Sequence, residues 1–144
     1  MWLRMSHAGD FDAEARAAIY MAAGWRCVGC GNSQPLTCQH RIARGMGGTS
    51  LSTIGHPTNG VCLDGSGTTG CHGWAEAHPT HAGALGWRVG RHEDPQAVPW
   101  WTRYGWRLWL PDLTVAMLTD DDPRLPEGWR EAVAAYALAT GQLL

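Results

Sequence analysis

The sequence predicts a single α+β domain: an N-terminal helix, a strand–strand–helix unit stapled by four cysteines, and a C-terminal extension of strands followed by a helix. Three observations predict it. Apolar residues recur at helical spacing near both ends of the chain, short segments between them alternate as strands do, and cysteines bracket the first of those segments in two pairs. The 144 residues suffice for one modest core. Residues from about 25 to 80 carry the motifs, and those from about 82 to 144 form the extension.

Taken in order, "DFDAEARAAIYMAA" (10–23) sets Phe11, Ala15, Ala18, Ile19 and Ala22 along one helical face. Asp10 or Asp12 can cap that helix, Glu14 suits its positive end, and Gly24 ends it. "CVGCGN" then makes a tight knuckle. Leu36, Cys38, His40 and Ile42 alternate with more polar neighbours as a short strand. The glycine-, serine-, threonine- and proline-rich stretch from Gly45 to Gly60 is a loop leading into a second short strand, "GVCL". After a glycine-rich turn there is room for a short helix from Cys71 to Pro79. Farther on, "ALGWRVG" and "YGWRLWLPDLTVAML" are expected to be strands, with Pro111 and Asp112 turning the chain. Leu125, Trp129, Val133, Tyr136 and Ala137 then mark a terminal helix that Pro126 and Glu127 can start.

Composition limits the function classes. A formal net charge of −2 argues against a protein that coats nucleic acid through overall charge, so any phosphate-binding surface is local. All 11 basic residues are arginine. That suits bidentate phosphate contacts, and a GC-rich coding sequence explains it equally well. The 9 tryptophans are expected to pack a core or an interface before they serve as stacking platforms for bases. The start, "MWLRMSHAGDFDAE", has no apolar run of leader length, and no later run approaches a membrane span. A cytoplasmic, reducing location is the expectation, and there the 5 cysteines read as metal ligands rather than disulfides.

Cys27 and Cys30 are separated by two residues, and Cys62 and Cys71 by eight. Two such knuckles can present four thiolates to zinc in a closed tetrahedral set, which makes a structural site. A thioredoxin-like redox pair is the competing reading of Cys27 and Cys30, but no strand-to-helix context accompanies it. Cys38 is left over, and its alternation with Leu36 and Ile42 suggests a small buried hydrophobe.

Between and after the cysteines lie His40, Asn59, His72, Glu76 and His78. His72 and Glu76 are four apart and share a helix face, whereas His78 faces away. Imidazole and carboxylate together suit one divalent cation with open positions. Arg41 and Arg44 sit where a phosphate backbone could pass, and their plainer reading is solvated surface arginine.

"CVGC", "QHRIARGMGG", "NGVC" and "GSGTTGCHGWAEAH" together resemble the HNH endonucleases of the His-Me finger, or ββα-metal, superfamily, and most of all the small HNH proteins of actinobacterial phages and prophages. The likeness covers about residues 25–80. It implies a ββα-metal core with a four-cysteine zinc site, and metal-dependent DNA cleavage or nicking. His40 would be the general base that deprotonates the attacking water, Asn59 the residue that holds the loop and orients that base, and His72 a ligand of a catalytic Mg²⁺, Mn²⁺ or other divalent cation. Gln39 stands where the family has aspartate or histidine as a metal ligand. Either Glu76 compensates, or Gln39 binds weakly or through water, or activity is reduced. Strand alternation also points Gln39 away from His40, so that both serve one site only through twist or a bulge. DNA is the implied partner, and a phage setting in host cytoplasm implies work beside the terminase. The rival reading is a zinc-stabilised DNA-binding or adaptor domain whose nuclease site has decayed.

Overall fold

Helix α1 (Ala13–Ala22) opens on Asp12, whose carboxylate accepts the Ala15 N–H at 2.7 Å, with Glu14 in the first turn. This satisfies one of the amides a helix start leaves unpaired and sets negative charge at the positive end. Its buried face, Ala15 and Ile19, is continued by Phe11 just ahead of the helix. The computed structural model describes residues 9–43 and 53–141. Among the described residues it is mixed α and β, with four helices and two small antiparallel sheets.

The first sheet is the hairpin of β1 (Leu36–His40) and β2 (Gly60–Asp64), which pairs Leu36 with Asp64, Cys38 with Cys62 and His40 with Gly60. The register runs without a bulge. Because side chains alternate across a strand, the even-numbered residues of both strands share one face and the odd-numbered ones the other. α1 covers the even face: Phe11 stacks on His40, and a Cβ on Gly60 would collide with Ile19. The odd face carries Thr37 and Gln39 towards α2 (Gly70–Ala77) and Trp87. Of the long predicted loop, residues 53–59 form a turn and one 3-10 turn, Pro57–Asn59; residues 44–52, which include Arg44, lie outside the described residues.

Pro79 does more than close α2. It occupies the first turn of α3 (Pro79–Ala84), where its missing N–H is harmless, and His78 is the only residue between the helices. The strand expected at "ALGWRVG" does not form. α3 ends at Ala84 and the chain turns through Gly86 at φ +71°, so close to Pro99 that a Cβ would strike its carbonyl. Trp87 is instead a core residue, 0% exposed, donating Nε1–H to the Trp101 carbonyl. Local alternation was overruled there by a glycine turn and by burial of a single large ring.

The second sheet is a meander of β3 (Trp100–Thr102), β4 (Gly105–Trp109) and β5 (Val115–Leu118). β3 was not expected, because "WWT" is too short to show alternation. Helix α4 (Trp129–Thr140) starts three residues after Pro126, behind Gly128 at φ +78°, and buries Ala132 and Tyr136. One continuous apolar core joins α1, the hairpin, α2, the tryptophan-rich sheet and α4, so the extension packs onto the motif-bearing part. Trp87 and Tyr136 meet edge to face with centroids 5.4 Å apart. Packing is thus the role of most tryptophans, and Trp25, 54% exposed, is an exception. No helix among the described residues is long and apolar enough to cross a membrane.

Candidate functional site

A metal-capable cluster forms where the hairpin, the knuckle and α2 meet. One donor atom from each of Cys27, Cys30, Asp64 and Cys71 lies within 4.8 Å of every other. The knuckle turns on itself, with Cys27 N–H to the Asn32 carbonyl, Gly31 N–H to the Cys27 carbonyl, and Cys30 N–H to the Cys27 sulfur at 3.5 Å. From the far sheet Arg103 clamps it, donating its backbone N–H to the Val28 carbonyl and its guanidinium to the Cys30 carbonyl. Asp64 and Cys71 are brought together by a tight turn whose Gly65 (φ +90°) and Gly70 (φ +63°) leave no space for a side chain. The Asp64 carboxylate accepts the Cys71 N–H at 3.0 Å and the Asn32 amide at 3.2 Å. Burial pushes its pKa up, but these hydrogen bonds outweigh that and hold it below the usual carboxylate range.

This corrects the predicted ligand set. Cys62 is not in the group; Asp64, two residues farther along β2, takes its place. Counting cysteines supplied a complete quartet and so hid the carboxylate, although aspartate is an ordinary zinc ligand. Cys62 is buried opposite Cys38, and burial pushes its thiol pKa far up. In the cluster itself a hydrogen bond from Cys71 pulls Cys27 down to about 7, and the same contact pushes Cys71 far above the thiol range. One carboxylate and a thiol with lowered pKa therefore lie in a mostly buried group with two further sulfurs. A divalent cation would replace the shared protons.

At the other end of the hairpin His40 stacks on Phe11, with centroids 4.0 Å apart and planes at 14°, and its Nε2 lies 2.6 Å from the Gly9 carbonyl. A carbonyl only accepts, so Nε2 carries a proton. His40 borders a groove of about 510 Å³ with Asp10, Asp12, Arg16, Tyr20 and Cys38. A larger cleft of about 840 Å³ between α3 and the start of α4 holds none of the described predicted site residues, so size does not mark the chemistry here.

Asn59 is 0% exposed and ties the loop between the strands: Oδ1 accepts Ile42 N–H at 2.7 Å, and Nδ2 donates to the Ile42 and Ile54 carbonyls. Arg41 does not lie on a phosphate-facing surface. It is 0% exposed, and its guanidinium donates to the carbonyls of Gly86, Thr58, Pro95 and Val98 at 2.6–3.0 Å. Burial lowers its pKa, with Glu93 and Asp94 opposing. The plainer surface reading fails as well: Arg41 is a buried tie between the hairpin end and the 86–98 segment. Gln39 is also buried, donating Nε2–H to the Trp87 carbonyl at 3.0 Å. Its Oε1 is buried with no hydrogen-bond partner among the described residues.

His72 sits on α2 with Glu76 one turn on, His72 Nε2 lying 3.7 Å from Glu76 Oε1. Thr37, not anticipated from the sequence, organises the pair. Its hydroxyl donates to the Leu63 carbonyl at 3.1 Å and lies 2.9 Å from His72 Nδ1. The tautomer of the imidazole decides which of Thr37 Oγ1 and His72 Nδ1 donates to the other. Burial holds His72 below the ordinary imidazole pKa, against the pull of Glu76, so the neutral ring is favoured. Arg88 approaches the other Glu76 oxygen at 3.9 Å. His78 turns elsewhere, its Nδ1–H donated to the Trp74 carbonyl.

The predicted residues are therefore distributed along the hairpin. His40 stands on the α1 face, whereas His72 and Gln39 belong to the α2 face, and Thr37 precedes His40 by about 10 Å along the strand. Among the described residues no second group of three or more His, Cys, Asp or Glu donors converges. Comparison with family models, curated proteins and solved structures finds no match to this chain.

Proposed function

We propose that the protein is a metal-dependent phosphodiesterase acting on DNA, built on a ββα-metal core and stapled by zinc at Cys27, Cys30, Cys71 and Asp64. The observation that carries this reading is the Thr37–His72–Glu76 relay. A histidine held at Nδ1 by a hydroxyl, with its Nε2 3.7 Å from a carboxylate, offers two donors to one cation. Metal-ligating histidines are oriented in this way by the partner of their other nitrogen. A divalent cation bound by His72 and Glu76 would offset the negative charge that develops on a phosphodiester as it is attacked. His40, whose Nε2–H is held by the Gly9 carbonyl, would be the base that takes the proton of the attacking water. Asn59 holds the loop that begins beyond the strand end carrying His40.

A second reading is favoured by one specific observation: His40 and His72 occupy opposite faces of the hairpin. In that reading the domain is a zinc-stapled adaptor that binds DNA without cutting it. Supercoiled plasmid incubated with zinc-loaded protein and Mg²⁺ or Mn²⁺ separates the two. The nuclease reading expects nicked or linear product, reduced at least about 100-fold by His40→Ala and by His72→Ala. Equal cleavage by wild type and His40→Ala overturns the assignment of the base; retained DNA binding without cleavage by the wild type supports the adaptor.

A further inference from the structure

With Asp64 in the metal-capable cluster, Cys38 and Cys62 lie outside it, and they face each other. Cys38 on β1 is the direct cross-strand neighbour of Cys62 on β2. The ladder determines what kind of pair they make. Just beyond the strands, Arg41 N–H donates to the Asn59 carbonyl at 2.7 Å, and at the other end Gly65 N–H donates to the Pro35 carbonyl at 2.9 Å. Hydrogen-bonded pairs recur at every second residue of an antiparallel ladder. Positions 35, 37, 39 and 41 are therefore the bonded ones, and Cys38–Cys62 is a non-bonded pair. In such a pair the Cα atoms stand about 4.5 Å apart and the side chains approach most closely, inside the range of about 4.4–6.8 Å that a disulfide spans.

We infer that Cys38 and Cys62 form a peroxide-sensitive dithiol that closes to a cross-strand disulfide, separate from the metal-binding cysteines. Access orders the two sulfurs. Cys62 is 1% exposed, whereas Cys38 is half-buried and borders the groove beside Arg16 and Tyr20, so a small oxidant meets Cys38 first. The small thiolate fraction of Cys38, whose thiol burial pushes up, attacks one oxygen of hydrogen peroxide, the O–O bond breaks, and hydroxide leaves a sulfenic acid on Cys38. The Cys62 thiol attacks that sulfur, the S–O bond breaks, and water departs with the Cys62 proton. In total two thiols lose two electrons and two hydrogens, and one peroxide becomes two waters. The bridge locks the hairpin register two residues from His40 at one end and two from Asp64 at the other.

The test treats the full zinc-supplemented chain with hydrogen peroxide, blocks residual thiols by alkylation, and assigns bridges by mass spectrometry of peptides with fragmentation. The expected product is lighter by two hydrogens, joins Cys38 to Cys62, and returns to the dithiol on reduction. In Cys62→Ser the Cys38 sulfenic acid persists and is trapped by dimedone; in Cys38→Ser no bridge forms and Cys62 stays reduced. A bridge to Cys27, Cys30 or Cys71, or a wild type that behaves as Cys62→Ser does, or no reaction at either thiol, overturns the inference. Zinc content measured in parallel keeps this outcome distinct from that of the metal site, since the Cys38–Cys62 pairing does not depend on metal.

Discussion

The Tyr136 hydroxyl lies 3.0 Å from the Cys71 sulfur, across 65 residues of sequence, and so connects helix α4 to the metal-capable cluster. Burial and the neighbouring sulfur push the Tyr136 pKa well up, so its O–H stays protonated and would donate to the Cys71 sulfur once a bound metal holds that sulfur as a thiolate. Tyr136→Phe removes only that donor and keeps the ring that packs on Trp87 and Trp101. Loss of such an outer hydrogen bond is expected to weaken metal binding by about tenfold, read by competition with a chromogenic chelator.

Asp64 and Cys62 give opposite outcomes. Asp64→Ala removes a donor from the group of four and is expected to yield protein purified without its metal, whereas Cys62→Ser retains it. Elemental analysis of the two purified variants decides the matter; metal loss in Cys62→Ser alone would restore the four-cysteine set.

Cation binding at His72 and Glu76 carries a pH signature. Burial depresses the His72 pKa, so the imidazole stays neutral to below the ordinary value of 6.5. Mn²⁺ binding dependent on His72 is therefore expected to persist at pH 6.5 and to weaken as pH falls through the depressed folded value. Stability follows the same sign. The unfolded chain protonates this histidine first, so the stability of neutral His72 is present above the unfolded pKa and is lost on acidification through the folded one. Calorimetric titration across pH, with His72→Ala as control, reads both effects.

Arg41 is expected to act on folding. Arg41→Ala leaves three buried carbonyls and one part-buried one without their donor and should cost at least about 3 kcal/mol in chemical denaturation. Lysine cannot reproduce the guanidinium fork, so Arg41→Lys recovers only part of it.

At Asn59 the near-isosteric Asn59→Asp separates hydrogen-bond chemistry from packing. The Ile42 N–H would still be satisfied, but a carboxylate oxygen would face the Ile42 and Ile54 carbonyls that the amide now serves. A lower melting temperature than that of Asn59→Ala is the expected result.

Much of the fold was legible because it is written in local chemistry. Asp12 as helix cap, the Cys27–Cys30 knuckle, the alternation of β1 and the spacing of Trp129, Val133 and Tyr136 are short-range signals, and each corresponds to an observed element. The "ALGWRVG" segment carried an equally strong alternation and is not a strand, since Gly86 turns against Pro99 and Trp87 enters the core. Residue type also misled at Arg41, because a guanidinium that appears surface-seeking in sequence can be satisfied by carbonyls contributed from residues 58, 86, 95 and 98.

By itself the sequence determined the α+β element order around the hairpin, the two knuckle thiols, the pairing of His72 with Glu76 and the opposed directions of Gln39 and His40, all of which follow from spacing along one strand or helix. The docking of the elements decides that Asp64 rather than Cys62 joins the metal-capable cluster, that Thr37 meets His72, that Tyr136 reaches Cys71, and that His40 and His72 lie on different faces. Thr37 meets His72 across 35 residues, and Tyr136 meets Cys71 across 65. Those relationships depend on how α1, α2 and α4 dock around a two-stranded hairpin, and no local period encodes that docking.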